Sequence, residues 1–140
     1  MKRFSGLLCL WLYISSCQSN SSLQFANGKS ENELRQELKQ KEQQDFGKYI
    51  TGNYQTRKNI IGEQIVEGTL TNTADLSTFK DVVLEVTFLS KTQTPLNVQN
   101  HIVYELLTPK KSVAFKIKTI APSATQGCSM RIINATPVEN

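Results

Sequence analysis

The sequence predicts a mainly β protein, a β-sandwich of six to seven strands preceded by one short N-terminal helix. From about Tyr49 onward, apolar and polar residues alternate with a period of two, which is typical of strands with one buried face. Turn-forming residues divide this region into short segments at the spacing expected of a sandwich. A chain of 140 residues is long enough to enclose one hydrophobic core.

The strand predictions follow the alternation along the chain. Strands are expected at residues 52–59, 64–71, 81–90, 98–106, 112–119 and 128–138. The clearest is 81–90, which has one apolar side formed by Val82, Leu84, Val86 and Phe88. In 112–119, the residues expected to point inward are Val113, Phe115 and Ile117. Gly68, inside the strand 64–71, predicts a bulge or a point of close packing.

A polar helix is predicted before the strands, over residues 30–46. Ser30 and Glu33 form the capping-box pattern, and residues 31–44 are strong helix formers. The apolar face is thin and consists of Leu34, Leu38 and Phe46. The helix is therefore predicted to be either a polar spacer or lightly docked on the sandwich domain, residues 47–140.

The N-terminus has the pattern of a secretion signal. Lys2 and Arg3 precede a mostly apolar run, residues 5–14. This run is too short to cross a bilayer core, for which about 20 residues are needed. Residues 14–17, Ile-Ser-Ser-Cys, resemble the lipobox of bacterial lipoproteins, in which a branched apolar residue and two small residues precede the modified cysteine.

The lipobox resemblance implies a lipoprotein signal peptide, residues 1–16, and a lipid anchor on Cys17. An ordinary signal peptide with a coincidental cysteine is the alternative. Residues 17–29, rich in Ser, Asn and Gln, are predicted to be a flexible tether with a reach of about 20 Å. Because no Asp follows Cys17, similarity to known sorting patterns favours a cell-envelope location at the outer membrane, facing the periplasm.

Charge argues against nucleic acid as a partner. The chain has 16 basic and 12 acidic residues, and removal of Lys2 and Arg3 with the signal peptide leaves 14 basic residues and a net charge of +2. The longest basic clusters are the pairs 57–58 and 110–111, which are typical of a solvated surface.

Cysteine use predicts a fold without a disulfide. With Cys9 in the signal peptide and Cys17 lipidated, Cys128 is the remaining thiol. Cys128 lies beside Met130 in an alternating apolar stretch, which favours a buried small hydrophobe over a reactive thiol.

Three segments carry a family resemblance. Residues 52–59, 66–72 and 79–88 together resemble small lipoproteins from Bacteroidetes and, more broadly, FxLYD-type immunoglobulin-like domains. The resemblance covers about residues 40–138 and departs from the FxLYD pattern at Leu89-Ser90, where those domains often have Tyr-Asp. It implies an immunoglobulin-like sandwich and no catalytic residues.

The sequence offers few candidates for catalysis. His101 is the single histidine, no Gly-x-Ser-x-Gly motif is present, and no metal or cofactor pattern is found. The chain is therefore predicted not to be an enzyme but a non-catalytic interaction or structural module, contacting an envelope protein or a glycan. The alternative is a small enzyme or ligand sensor with a site near His101, formed with Asp81, Glu85 and Tyr104.

Overall fold

The computed structural model describes residues 28–139. The predicted signal peptide, the predicted lipidation site Cys17 and most of the predicted tether lie outside the described residues.

Two helices precede six strands. In chain order the elements are α1 (Glu31–Gln44), α2 (Phe46–Tyr49), β1 (Ile50–Lys58), β2 (Gln64–Asn72), β3 (Phe79–Leu89), β4 (Pro95–Val103), β5 (Ser112–Thr119) and β6 (Gly127–Pro137). The predicted mainly β fold is therefore confirmed, and α1 is the one helix longer than a single turn that precedes the described strands.

The strands form two antiparallel sheets of three strands each, in the orders β1-β2-β5 and β4-β3-β6. This arrangement is consistent with a β-sandwich. Strands β2 and β3 are central, and the other four are sheet edges. In each sheet, therefore, only the central strand has hydrogen-bonded neighbours on both sides.

One core lies between the sheets. The predicted apolar side of β3 is fully buried, with Val82, Leu84, Val86 and Phe88 at most 1% exposed. It packs in one cluster with Val66 and Leu70 of β2 and with Phe115 and Ile117 of β5. Burial of each large apolar side chain contributes about 1.5–3 kcal/mol, so this cluster is the main source of stability.

Strand β4 differs from its prediction, since it begins and ends three residues earlier than 98–106. Its start is set by a bulge between Phe88 and Leu89, after which Leu89 pairs with Pro95. After the strand ends at Val103, Leu107 exchanges backbone hydrogen bonds with Phe79, the first residue of β3. Contacts between residues that are distant in sequence thus determine the extent of β4, which the local alternation of apolar and polar residues did not predict.

Gly68 marks a close approach between β1 and β2. The register of the two strands is regular there, so the predicted bulge is absent and the close packing is present. A Cβ atom on Gly68 would lie 1.9 Å from the carbonyl oxygen of Asn53. The backbone of β1 would have to move to admit any side chain.

The capping box of α1 forms as predicted. The backbone N–H of Glu33 donates to Ser30 Oγ, and the N–H of Ser30 donates to the Glu33 carboxylate. Phe46, the third residue of the predicted apolar face, follows α1 and packs partly buried against the core, whereas Leu34 and Leu38 stay exposed and do not hold α1 against the sandwich.

Glu42 docks the helix instead. It is fully buried, and its carboxylate accepts hydrogen bonds from the backbone N–H groups of Asp75, Leu76 and Ser77 at 2.7, 3.1 and 2.8 Å. The Ser77 hydroxyl donates to the Lys39 carbonyl, which adds a second link. Of the two alternatives that the sequence left open, the docked helix is correct.

The loop that Glu42 binds is also held from the sandwich side. Asn72 is fully buried and donates to the carbonyl oxygens of Ser77 and Leu107, while its own side-chain oxygen accepts from Ala74 N–H. Glu42 and Asn72 therefore satisfy the loop backbone from opposite sides, as burial of peptide groups requires.

Substitution Glu42→Ala is expected to lower the free energy of unfolding by about 2–4 kcal/mol, because buried N–H groups would lose their acceptor. Glu37→Ala is the matched control. Glu37 is an exposed residue of the same helix, and its loss is expected to cost less than about 0.5 kcal/mol. Urea denaturation measures both. Equal losses for the two variants would contradict this role of Glu42.

Substitution Gly68→Ala is expected to lower the free energy of unfolding by about 1–3 kcal/mol, because the new methyl group would displace β1. Gly127→Ala serves as the control, since Gly127 is also a strand glycine but has no atom within 4 Å of a built Cβ. Thermal denaturation of both variants checks this expectation, and a Gly68→Ala protein as stable as the control would refute it.

Candidate functional site

Three of the four edge strands carry charged or covering side chains that protect them against unwanted pairing. Charged side chains and covered backbone groups are the common means of such protection. Strand β1 has Arg57, paired with Glu67 at 3.2 Å, and β5 has Lys116 and Lys118. On β6, the backbone N–H of Met130 donates to the hydroxyl oxygen of Tyr54 at 3.1 Å, which covers part of that edge.

Strand β4 is protected by other means and without charge: Pro95 and a bulge lie at its start, and the backbone N–H of Val98 donates to Asn97 Oδ1 at 2.8 Å. Its nine residues, Pro95–Val103, carry no Lys, Arg, Asp or Glu. Its outward side chains are apolar and exposed, and the exposed fractions of Leu96, Val98, Ile102 and the following Tyr104 are 39%, 50%, 45% and 76%. We call the outward row Leu96, Val98, Asn100, Ile102 and Tyr104 the β4 face.

The neighbouring strand continues this surface. Ile102 lies opposite Val83 and Val98 lies opposite Thr87 on β3, both half-buried. Directly opposite residues in an antiparallel pair point to the same side of the sheet. The β4 face is therefore the edge of a wider neutral, largely apolar patch. Such a contiguous patch marks an interaction surface more often than isolated exposed apolar residues do.

An ion pair lies within the patch, because Glu85 stands between Val83 and Thr87 on the same side of β3. Glu85 lies opposite Asn100 on one side and Arg131 on the other, and Arg131 Nε donates to Glu85 Oε1 at 2.6 Å. The hydrogen bond and the negative charge of Glu85 raise the pKa of Arg131. Because the two charges satisfy each other, the outer surface of this sheet stays nearly neutral.

The structure does not bring together the residues of the alternative site near His101. Glu85 is opposite Asn100, whereas His101 is opposite the fully buried Leu84. Glu85 and His101 therefore point to opposite faces of the sheet. Tyr104 lies exposed beyond the end of β4, and Asp81 sits at a bulge of β3 with a φ of 50°.

His101 points between the sheets at their β4–β5 side. Its Nε2 atom is buried and has no hydrogen-bond partner among the described residues. Burial lowers the pKa of the imidazole from its ordinary value of 6.5. Nearby on β4, Gln99 accepts a short hydrogen bond from the Thr119 hydroxyl and donates to the Ile120 carbonyl. These contacts close the interior behind the β4 face.

Cys128 lies partly buried against the core, next to Met130 and Ile132 in the same cluster. Burial raises the pKa of its thiol, and a hydrogen bond with Thr56 opposes part of this shift. A raised thiol pKa disfavours the reactive thiolate, in agreement with its interpretation as a small apolar core residue.

A cleft of about 420 Å³ between α1 and the loop that joins β2 to β3 is lined by Asn32, Arg35, Gln36, Lys39 and Leu76. Residues 28–139 contain no group of three or more His, Cys, Asp and Glu side chains placed to share a metal ion. Within the same range, no helix is both long and apolar enough to cross a membrane.

Comparison of the chain with protein-family models, with curated proteins and with solved structures gives no match.

Protonation of His101 is expected to lower the free energy of unfolding in mild acid. Its pKa is 6.5 in the unfolded chain and lower in the folded chain, so the unfolded chain binds more protons as the pH falls below 6.5. The free energy of unfolding is therefore expected to fall between about pH 7.5 and about pH 5.5.

The variant His101→Gln should lose less stability over this range, because it removes the titrating group. The pKa of Glu67 is lowered, chiefly by its hydrogen bond with Arg57, so the stability from Glu67 is lost only below about pH 4.5, outside this range. Urea denaturation at both pH values tests the expectation, and identical pH dependence in the two proteins would disprove it.

Proposed function

We propose that this chain is an envelope-anchored lipoprotein, held to the outer membrane through Cys17, whose sandwich is a non-catalytic interaction module in the periplasm. The observation that supports the interaction role most directly is the β4 face, an uncharged edge strand with exposed apolar side chains. The proposed partner is an envelope protein or a glycan that binds this face.

The anchor part of the proposal rests on the sequence. Each buried methylene of an acyl chain contributes about 0.8 kcal/mol, and two or more chains anchor a protein stably. The tether and the docked helix α1 would then separate the sandwich from the lipid surface. Helix α1 has 14 residues and spans about 21 Å.

The interaction part rests on the contrast among the edges. A free strand edge offers backbone N–H and C=O groups for strand addition, and exposed side chains beside it supply apolar contact area. Strand β4 combines both features, while Arg57, Lys116, Lys118 and Tyr54 protect the other three edges. A binding partner would satisfy the backbone of β4 and bury the β4 face together.

Membrane fractionation tests the anchor. The native chain is expected in the membrane fraction with a lipid on Cys17, detectable by mass spectrometry, and Cys17→Ala is expected in the soluble fraction. Native chain that is soluble and unlipidated would contradict the anchor.

Photo-crosslinking in intact cells tests the binding face. A photoreactive phenylalanine analogue at Val98 is expected to give a discrete crosslinked product. The same analogue at Ala114, an exposed residue on edge strand β5, is the matched control and should give none. Equal products from both positions, or none from Val98, would count against the β4 face as the binding surface.

A further inference from the structure

The β4 face has a two-fold symmetric pattern. In the regularly paired part of β4, the outward residues Val98, Asn100 and Ile102 follow the order apolar, Asn, apolar, centred on Asn100, and the exposed apolar residues Leu96 and Tyr104 flank them. If two β4 strands pair antiparallel with Asn100 opposite its own copy, Val98 lies opposite Ile102 of the second chain. Apolar side chains then meet only apolar side chains.

We propose that the partner of the β4 face is a second copy of this chain, joined by antiparallel pairing of the two β4 strands about a two-fold axis at Asn100. This inference deepens the proposed function, since it rests on the β4 face as the binding surface, but it does not depend on the lipid anchor. The product is one continuous six-stranded sheet in the order β6-β3-β4-β4-β3-β6.

Charge favours self-pairing at this edge over the others. In a two-fold interface each residue near the axis meets its own copy or a near neighbour, so charged edges repel themselves. Self-pairing of β5 about its middle would bring Lys116 and Lys118 close to the same lysines of the second chain, and β1 carries the charged pair Arg57 and Lys58 at one end. Strand β4 has no such charge. The nearby ion pair between Glu85 on β3 and Arg131 on β6 has no net charge.

The backbone of β4 also suits strand addition. Its pairing with β3 is regular from Val103 to Asn97, with the bulge confined to the far end near Pro95. The inward side of the strand is closed by the contacts of Gln99 with Thr119 and Ile120. A second strand can therefore approach from the side without opening the core. A sheet of six strands is a common size.

Disulfide trapping in the full-length, membrane-extracted chain tests the register. In a Cys128→Ala background, Asn100→Cys places two cysteines directly opposite each other, with Cα atoms about 4.5–5.5 Å apart, within the range for a disulfide. Val98→Cys or Ile102→Cys alone places like cysteines about 13 Å apart, too far to bond. Mixing the Val98→Cys and Ile102→Cys chains allows a mixed dimer, in which position 98 of one chain lies opposite position 102 of the other.

The expected result is a disulfide-linked dimer from Asn100→Cys and from the mixture of Val98→Cys and Ile102→Cys, with at least tenfold less dimer from either of the latter alone. Ala114→Cys and the Cys128→Ala parent are controls and should stay monomeric. Asn100→Cys that remains monomeric, or Val98→Cys alone that dimerises as readily, would overturn the proposal.

A charge substitution gives an independent test without cysteine chemistry. Asn100→Lys sets two ammonium groups against each other at the axis, and the dimer dissociation constant is expected to rise at least tenfold in sedimentation equilibrium. Ala114→Lys, on the opposite sheet, should leave it unchanged. Circular dichroism checks that both variants fold. An Asn100→Lys chain that dimerises as tightly as the native chain would refute the proposal.

Failure of this inference and failure of the proposed function give different results. If the analogue at Val98 crosslinks to another protein or a glycan while Asn100→Cys stays monomeric, the β4 face binds a different partner and only the second-copy proposal is wrong. If Cys17→Ala leaves the membrane distribution unchanged but Asn100→Cys still dimerises, the anchor fails and the dimer stands.

Discussion

Each sheet of this sandwich has three strands, so four of the six strands have a backbone edge without a neighbour. Unpaired N–H and C=O groups in such an edge must be hydrated, covered or paired. The chain uses charge on β1 and β5, and the Tyr54 hydroxyl over β6. Strand β4 has no charge. Its protection consists of Pro95 and the bulge at its start and the hydrogen bond from Val98 N–H to Asn97 Oδ1, and its outward side chains are mostly apolar. The proposed interaction role follows from this one difference among the edges.

Polar contacts fix the helix that precedes the sheets. Because Glu42 binds three backbone N–H groups of the loop at residues 75–77, α1 is attached through a buried carboxylate and not through Leu34 or Leu38. Asn72 holds the same loop from the core side. Helix α1 is thus held in a fixed position against the sandwich. In the proposed lipoprotein, this fixed helix limits where the sandwich can lie relative to its lipid anchor.

The sequence predicted what local patterns determine. The capping box set the start of α1, and strict alternation identified the buried side of β3. The docking role of Glu42 was not predicted, because one glutamate among the polar residues of a helix gives no pattern that marks it as buried. Its hydrogen-bond partners also lie more than thirty residues away in the sequence. The β4 face escaped because alternation shows which residues share a side of a strand, but not which side faces the core. In β4 the polar Gln99 and His101 point inward.

Hydrogen exchange of the β4 backbone tests the central proposal, that a binding partner covers this edge in the assembled protein. The amides of residues 96–103 would be compared by mass spectrometry between native membrane vesicles and the purified chain at high dilution. We predict slower exchange in the vesicles for this segment, while β1 and β5 exchange equally in both. Equal exchange of β4 in the two states would contradict the proposal, because a bound edge must protect its amides.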